Sequence, residues 1–220
     1  MNRSCRPRAA RVSFETPAVR RRCNFRRARA TDPLHLTNQP LLRRLIMRFV
    51  ILGNSGAGKT MLARAMAARS RLPVLQLDSL PADTGAADNG RLPDRALALL
   101  EAFCACDEWI VEGRDGTRVL AVLPHRPELV FLNPGPAVCM QHCRSAAWEP
   151  HRYASSQAQR DRLPQRLQAV ADYYRGDGAD SLRGHRAIFD GYGGPKRELQ
   201  QPVRLRIADE IWPPRPVTGS

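Results

Sequence analysis

The chain has 220 residues, 43% of them hydrophobic and 25% charged, enough for one substantial core and ordinary for a globular domain. A net charge of +14 would point to nucleic acid, but residues 1–46 hold 12 arginines against Glu15 and Asp32, a net +10 that leaves only +4 for everything after them. There is no apolar run of about 18 residues and no apolar stretch behind the basic start, so the expectation is a cytoplasmic protein with no membrane helix and no secretory signal.

Residues 1–46 lack apolar periodicity and have too few apolar side chains to offset the entropy of ordering, so they are expected to form a disordered, arginine-rich leader. Three readings compete for it: a transit peptide, a basic tail for nucleic acid, or a stretch upstream of the true start. The third is preferred, because Met47 directly precedes the first strand of what reads as a domain over 47–208. A proline-rich tail, 209–220, follows that domain.

RFVILG, 48–53, is a short apolar run ending in glycine, and the alanine-rich stretch 59–69 behind it is helical. PVLQLD, 73–78, is predicted as a second strand, and the Gly-, Pro- and Asp-rich residues up to Pro93 form a long loop. Pro93 and Asp94 open a helix to Cys106, carrying Leu97, Leu100, Phe103 and Cys104 at helical spacing. EWIVEG, 108–113, and ELVFLN, 128–133, are apolar with little alternation, as strands buried on both faces are. A helix after Pro136 carries Cys139 and Cys143, and another places Leu163, Leu167, Val170 and Tyr174 on one face. VRLRI, 203–207, is the predicted fifth strand, while the glycine-rich residues 176–199 are not assigned. Alternating strands and helices imply a parallel sheet covered on both sides. Of the six cysteines, Cys104, Cys106, Cys139 and Cys143 could be grouped as a zinc site, but their spacing is wrong for paired knuckles and reduced, buried thiols are expected.

Between the first strand and its helix lies GNSGAGKT, which fits the phosphate-loop pattern GxxxxGK[ST] in the context that pattern requires. Gly53, Asn54, Ser55, Gly56, Ala57 and Gly58 are expected to turn main-chain N–H groups inward around phosphate oxygens, with the helix N-terminus adding its positive end. Lys59 reaches the β and γ phosphates, and the Thr60 hydroxyl is a ligand for Mg²⁺. Only two lysines occur in this arginine-dominated chain, and one of them stands where a compact ammonium fits between phosphates and a guanidinium does not. ATP and Mg²⁺ are therefore the expected cofactors. Glu112, at the end of WIVEG, is the candidate second metal ligand, its alternative being a strand-end glutamate facing solvent.

GNSGAGKT, LPVLQLD, WIVEGR, LVFLN and a CxxxCR helix together resemble the adenylate kinase and shikimate kinase group of P-loop kinases, over about Met47 to Leu199. Within that group the chain is most similar to bacterial P-loop ATPases, some labelled adenylate kinase or DNA topology modulation protein. The resemblance implies a three-layer α/β P-loop NTPase of the nucleoside monophosphate kinase type, with a five-stranded parallel sheet, helices on both faces and an arginine-bearing lid. It places Glu112 and Gly113 where the group has an Asp-Gly pair, a departure from its pattern, and it points Arg114 into the acceptor cleft. Asp78 falls where shikimate-type kinases hold the acceptor hydroxyl, so it would orient or deprotonate the acceptor, a loop-capping aspartate being the alternative. Arg144 and Arg152, the latter in WEPHRY, fall where the lid closes over the phosphates. Trp148, His151 and Tyr153 would stack on a base or sugar or simply pack, and GGPKREL, 193–199, would border the base, with Lys196 equally readable as a surface charge.

Two functions remain open on the sequence. One is transfer of the γ-phosphoryl group of ATP to a small acceptor, a nucleotide, nucleoside or polar metabolite, with Lys59, Asp78, Arg114, Arg144 and Arg152 as catalytic residues. The other is a nucleotide-binding regulator with slow ATP hydrolysis that touches nucleic acid through the leader. No helix-turn-helix, zinc-finger or RRM pattern supports the second, so nucleic acid is not expected as a partner except through the leader.

Overall fold

In the computed structural model the chain divides into two units, Met1–Leu42 and Arg43–Ser220. The residues described below are 47–81, 92–150 and 152–203, all in the second unit. The leader, most of the loop after Pro81, His151 and the tail lie outside them.

Five strands form one parallel sheet: β1 (Arg48–Gly53), β2 (Val74–Gln76), β3 (Trp109–Gly113), β4 (Glu128–Leu132) and β5 (Lys196–Leu199). Their order across the sheet is β2-β3-β1-β4-β5, which puts β1 at the centre with β3 and β4 on either side. Seven helices connect them: α1 (Lys59–Ser70), α2 (Asp94–Cys104), α3 (Gly116–Val122), α4 (Pro136–Ser145), α5 (Ser156–Asp161), α6 (Leu163–Tyr173) and α7 (Leu182–Gly191).

The period of two along β1 explains why its sequence shows no polar alternation. Phe49 and Ile51 point into a core with Leu62 and Met66 of α1, Cys139 and Cys143 of α4 and Val170 of α6. Val50 and Leu52 point the other way, against Leu100 of α2, Val119 and Val122 of α3 and Ile188 of α7. Both faces are covered, so the side chains from Phe49 to Leu52 all need to be apolar. This is the three-layer α/β architecture of P-loop NTPases. The chain leaves β1 toward β2 on one side and reaches β4 on the other, so a crevice opens at the carboxyl end of β1, where ligands bind in open α/β sheets.

Several sequence boundaries move. Residues 77–79 leave the β2 ladder as a 3-10 turn, because the Leu77 carbonyl accepts from the Leu80 N–H and from the Arg118 guanidinium. α2 stops at Cys104, two residues early. The fifth strand is Lys196–Leu199, with Leu129 of β4 opposite Lys196 and Leu132 opposite Leu199; residues 204–207 of the run predicted for it are outside the described residues. KREL is an edge strand with mixed polarity, so a search for apolar runs passes over it. Lys196 is exposed, and its Nζ donates to the carbonyls of Phe189 and Asp190 at the end of α7, at 2.8 and 2.9 Å. The helices α3 and α7 had no sequence assignment; Asp115 and Ser181 cap them by accepting from the N–H groups of Arg118 and Gly184. The face predicted for α6 holds, with Leu163, Leu167, Val170 and Tyr174 all packed in one core. Cys104, Cys139 and Cys143 are buried and unoxidised, and the pairs 104/106 and 139/143 belong to opposite sides of the sheet, which separates them as a metal site. Among the described residues no helix is long and apolar enough to cross a membrane.

Candidate phosphoryl-transfer site

The loop after β1 turns on two glycines in the left-handed region, Gly56 at φ 76° and Gly58 at φ 98°. Gly56 is also a packing position: a Cβ there would collide with the Cys139 carbonyl and stand 2.9 Å from the Cys143 sulfur of α4. From the same helix, His142 Nδ1 lies 2.8 Å from the Gly56 carbonyl, and since a carbonyl only accepts, that nitrogen carries the proton and donates. Asn54, 1% exposed, braces the loop from inside. Its Oδ1 accepts from the Ser55 N–H at 2.7 Å and its Nδ2 donates to the Val170 carbonyl of α6 at 3.1 Å. The loop is thus held by α4 and α6 as well as by its own turn.

Lys59 begins α1 and is buried, its Nζ donating to the Asn54 carbonyl at 2.9 Å. Burial pushes its pKa below the ordinary lysine value, opposed by the charges of Glu112 and Asp78 and reinforced by that of Arg114. Those four residues therefore share one electrostatic neighbourhood. Thr60 follows, and its hydroxyl donates to Oε1 of Glu112 at 2.7 Å. β1 and β3 are adjacent, with Ile51 opposite Glu112, so the carboxylate at the end of β3 faces the first turn of α1. Glu112 is 4% exposed, which removes the alternative of a glutamate facing solvent. A buried carboxylate beside a threonine hydroxyl is the hard oxygen donor set that suits Mg²⁺.

Asp78, Arg114 and Arg152 come from separate elements. Asp78, on the turn after β2, is half exposed, and its Oδ2 is 3.8 Å from the Arg152 guanidinium. Arg152 also lies 3.7 Å from Glu149, and Glu149 lies 3.8 Å from Arg166 of α6, so the segment after α4 is joined by ion pairs to both neighbours. Gln159 closes that segment into a compact turn by bonding the Glu149 N–H and the carbonyls of Ala146 and Ala147. Trp148 is 49% exposed there and donates to the Tyr153 carbonyl at 3.2 Å. Arg114 follows β3 and borders an open pocket of about 300 Å³ with Asp172, Tyr173, Gly176, Asp180 and Ser181. Arg144 is exposed on α4 and has no hydrogen bond or ion pair among the described residues, so it is not brought together with the others.

Two residues that hold these elements in place escaped the sequence reading. Arg118 of α3 is 9% exposed and donates to the carbonyls of Leu77, Leu80 and Pro81, which fixes the turn bearing Asp78. Asp115, three residues earlier, pairs with it at 2.9 Å, a spacing visible in GRDGTR but without a partner that sequence could name. His185 of α7, fully buried, donates from Nε2 to the Arg114 carbonyl at 2.7 Å and is bonded at Nδ1 by the Tyr173 hydroxyl at 2.9 Å. Burial pushes its pKa down to about 4, so the ring is neutral near pH 7.

No protein-family model matches the chain, and no curated protein matches it. Solved structures similar to it include several kinases. One is the shikimate kinase from Acinetobacter baumannii in complex with shikimate, 16% identical with a TM-score of 0.47 over 76% of this chain and 91% of that one. Another is a gluconokinase from Sinorhizobium meliloti 1021, 19% identical with a TM-score of 0.43 over 77% and 97% of the two chains. A sugar kinase from Janibacter sp. HTCC2649 is 14% identical, with a TM-score of 0.44 over 75% and 91%.

Proposed function

We propose that this chain is an ATP-dependent phosphotransferase that moves the γ-phosphoryl group to a small polar acceptor. The observation that carries the reading is the 2.7 Å bond from Thr60 to Glu112, which joins the phosphate loop to a buried carboxylate on the neighbouring strand. ATP would supply the phosphoryl group, and Mg²⁺ would offset its charge. Thr60 and Glu112 would hold the metal, the N–H groups of residues 54 to 60 would hold the phosphates, and Lys59 would place a positive charge against the β and γ oxygens. Asp78 orients the acceptor hydroxyl and takes its proton, while Arg114 and Arg152 offset negative charge on the acceptor side. Arg152 reaches the site from the segment after α4, which plays the part of a lid; Arg144 joins it only if that segment rearranges. The chemistry asked of the protein is placement and charge, with no covalent intermediate.

The test is ATP consumption by the full chain with Mg²⁺, with and without nucleoside monophosphates, nucleosides and hydroxylated metabolites. One acceptor that raises turnover and appears as a phosphorylated product supports transfer and names the substrate class. ATP turnover that no acceptor changes favours slow hydrolysis and a regulatory role.

A further inference from the structure

The residues that follow β3 are clasped with unusual closeness for a loop. The Gly116 N–H donates to Oδ1 of Asp180 at 2.7 Å, and a Cβ on Gly116 would collide with the Ala179 carbonyl. A Cβ on Gly184 would stand 2.6 Å from that same carbonyl, so the turn before α7 is pressed between its own helix and the exit of β3. His185 completes the clasp on Arg114. A carbonyl accepts only, so Nε2 of His185 carries its proton; Nδ1 of the neutral ring then accepts, and the Tyr173 hydroxyl donates. The polarity of the relay is fixed end to end, from Tyr173 through His185 to the carbonyl of Arg114.

Tyr173 stands on α6, and the same helix accepts from Asn54 of the phosphate loop at Val170 and pairs with Glu149 through Arg166. One helix therefore touches the phosphate loop, the base of the segment bearing Arg152, and the relay to Arg114. A buried imidazole costs free energy wherever it is not fully bonded, and both of its nitrogens here are engaged.

We propose that His185, held by Tyr173, is a positioning residue for transfer: by fixing the Arg114 carbonyl it sets the exit of β3 so that the Arg114 side chain is presented to the acceptor. This rests on the kinase reading above. Arg114 touches the acceptor, and His185 acts only through it. Loosening this carbonyl displaces the guanidinium and weakens acceptor use, while the phosphate loop, braced also from α4 by His142, keeps its nucleotide.

The experiment compares the full chain with His185→Leu, His185→Gln and Tyr173→Phe. It measures Mg-ATP turnover across the acceptor panel, the Kd of a fluorescent ATP analogue, and Tm. For the acceptor that raises wild-type turnover, His185→Leu is expected to lower kcat/KM by about tenfold or more with nucleotide Kd changed less than about twofold. His185→Gln, whose amide N–H can reach the same carbonyl, restores most of that loss. Tyr173→Phe removes a single hydroxyl and gives a loss of about threefold, which keeps the test decisive if His185→Leu does not fold. Acceptor kcat/KM unchanged in Tyr173→Phe and His185→Leu, or a parallel fall in nucleotide affinity and Tm that Gln does not rescue, overturns the inference and leaves the kinase reading standing. A wild-type chain that uses no acceptor overturns the kinase reading and this inference together.

Discussion

At the phosphate end of the site, the residues that matter follow one another in the chain: Gly53 to Thr60 form the turn, the lysine and the hydroxyl in eight consecutive positions. At the proposed acceptor end, Asp78, Arg114 and Arg152 come from three separate elements and are held there by Arg118, His185 and Glu149, none of which is adjacent in sequence to the residue it positions, Glu149 being the nearest at three residues. A local motif tolerates change elsewhere because backbone geometry defines it. A site assembled over long separations inherits every weakness of its supports, and it can also be retuned by altering a support without touching the residue that meets the substrate.

The contrast predicts where each change is felt. Lys59→Ala removes the charge between the phosphates and should lower ATP turnover by about a thousandfold or more, with the fold intact by circular dichroism; retained turnover would break the assignment of this loop. Acid should act on the acceptor end. The folded pKa of His185, about 4, lies below its ordinary 6.5, so the native state favours the neutral ring. The resulting stability, about 3 kcal/mol, is fully present above pH 6.5 and is lost as pH falls toward 4. Unfolding curves at pH 7 and pH 4.5 should show this difference in the wild type and lose it in His185→Gln, after the common carboxylate contribution is subtracted.

Glu112→Gln should reduce Mg²⁺-dependent turnover by about a hundredfold while part of the nucleotide affinity remains; full activity would mean that another carboxylate serves the metal. Gly56→Ala tests packing at the phosphate end. Its positive φ and the collision with α4 should cost about 2 kcal/mol by denaturant titration, through local strain and not through lost charge. The smallest effect on stability belongs to Arg152→Ala. Its pairs are long and half exposed, so Tm should hardly move, about 0.5 kcal/mol at most, and any larger loss in acceptor turnover then reports on contact with substrate.

Much of the sheet was legible because strands covered on both faces need apolar residues throughout, and RFVILG, WIVEG and ELVFL carry that mark. KREL, with its mixed polarity at the edge of the sheet, did not, and residues 204–207 of the predicted run VRLRI lie outside the described residues. α7 was hidden because its glycines, which permit close approach at Gly184, look like loop residues in one dimension. At the site, Glu112 was found as a strand-end carboxylate, but only the pairing of β1 with β3 put it against Thr60. Arg144 carried the same motif-based expectation as Arg152, and only the latter meets Asp78.

By itself the sequence determined the phosphate loop and the central strand, since both depend on interactions within a few residues: glycine torsions, a helix start, an unbroken apolar run. The tertiary structure decided which arginine meets which carboxylate, which face of the sheet each cysteine joins, and that a histidine 71 residues away holds the exit of β3. Those outcomes depend on contacts across large sequence separations, and the order of strands in the sheet is what brings such residues within reach.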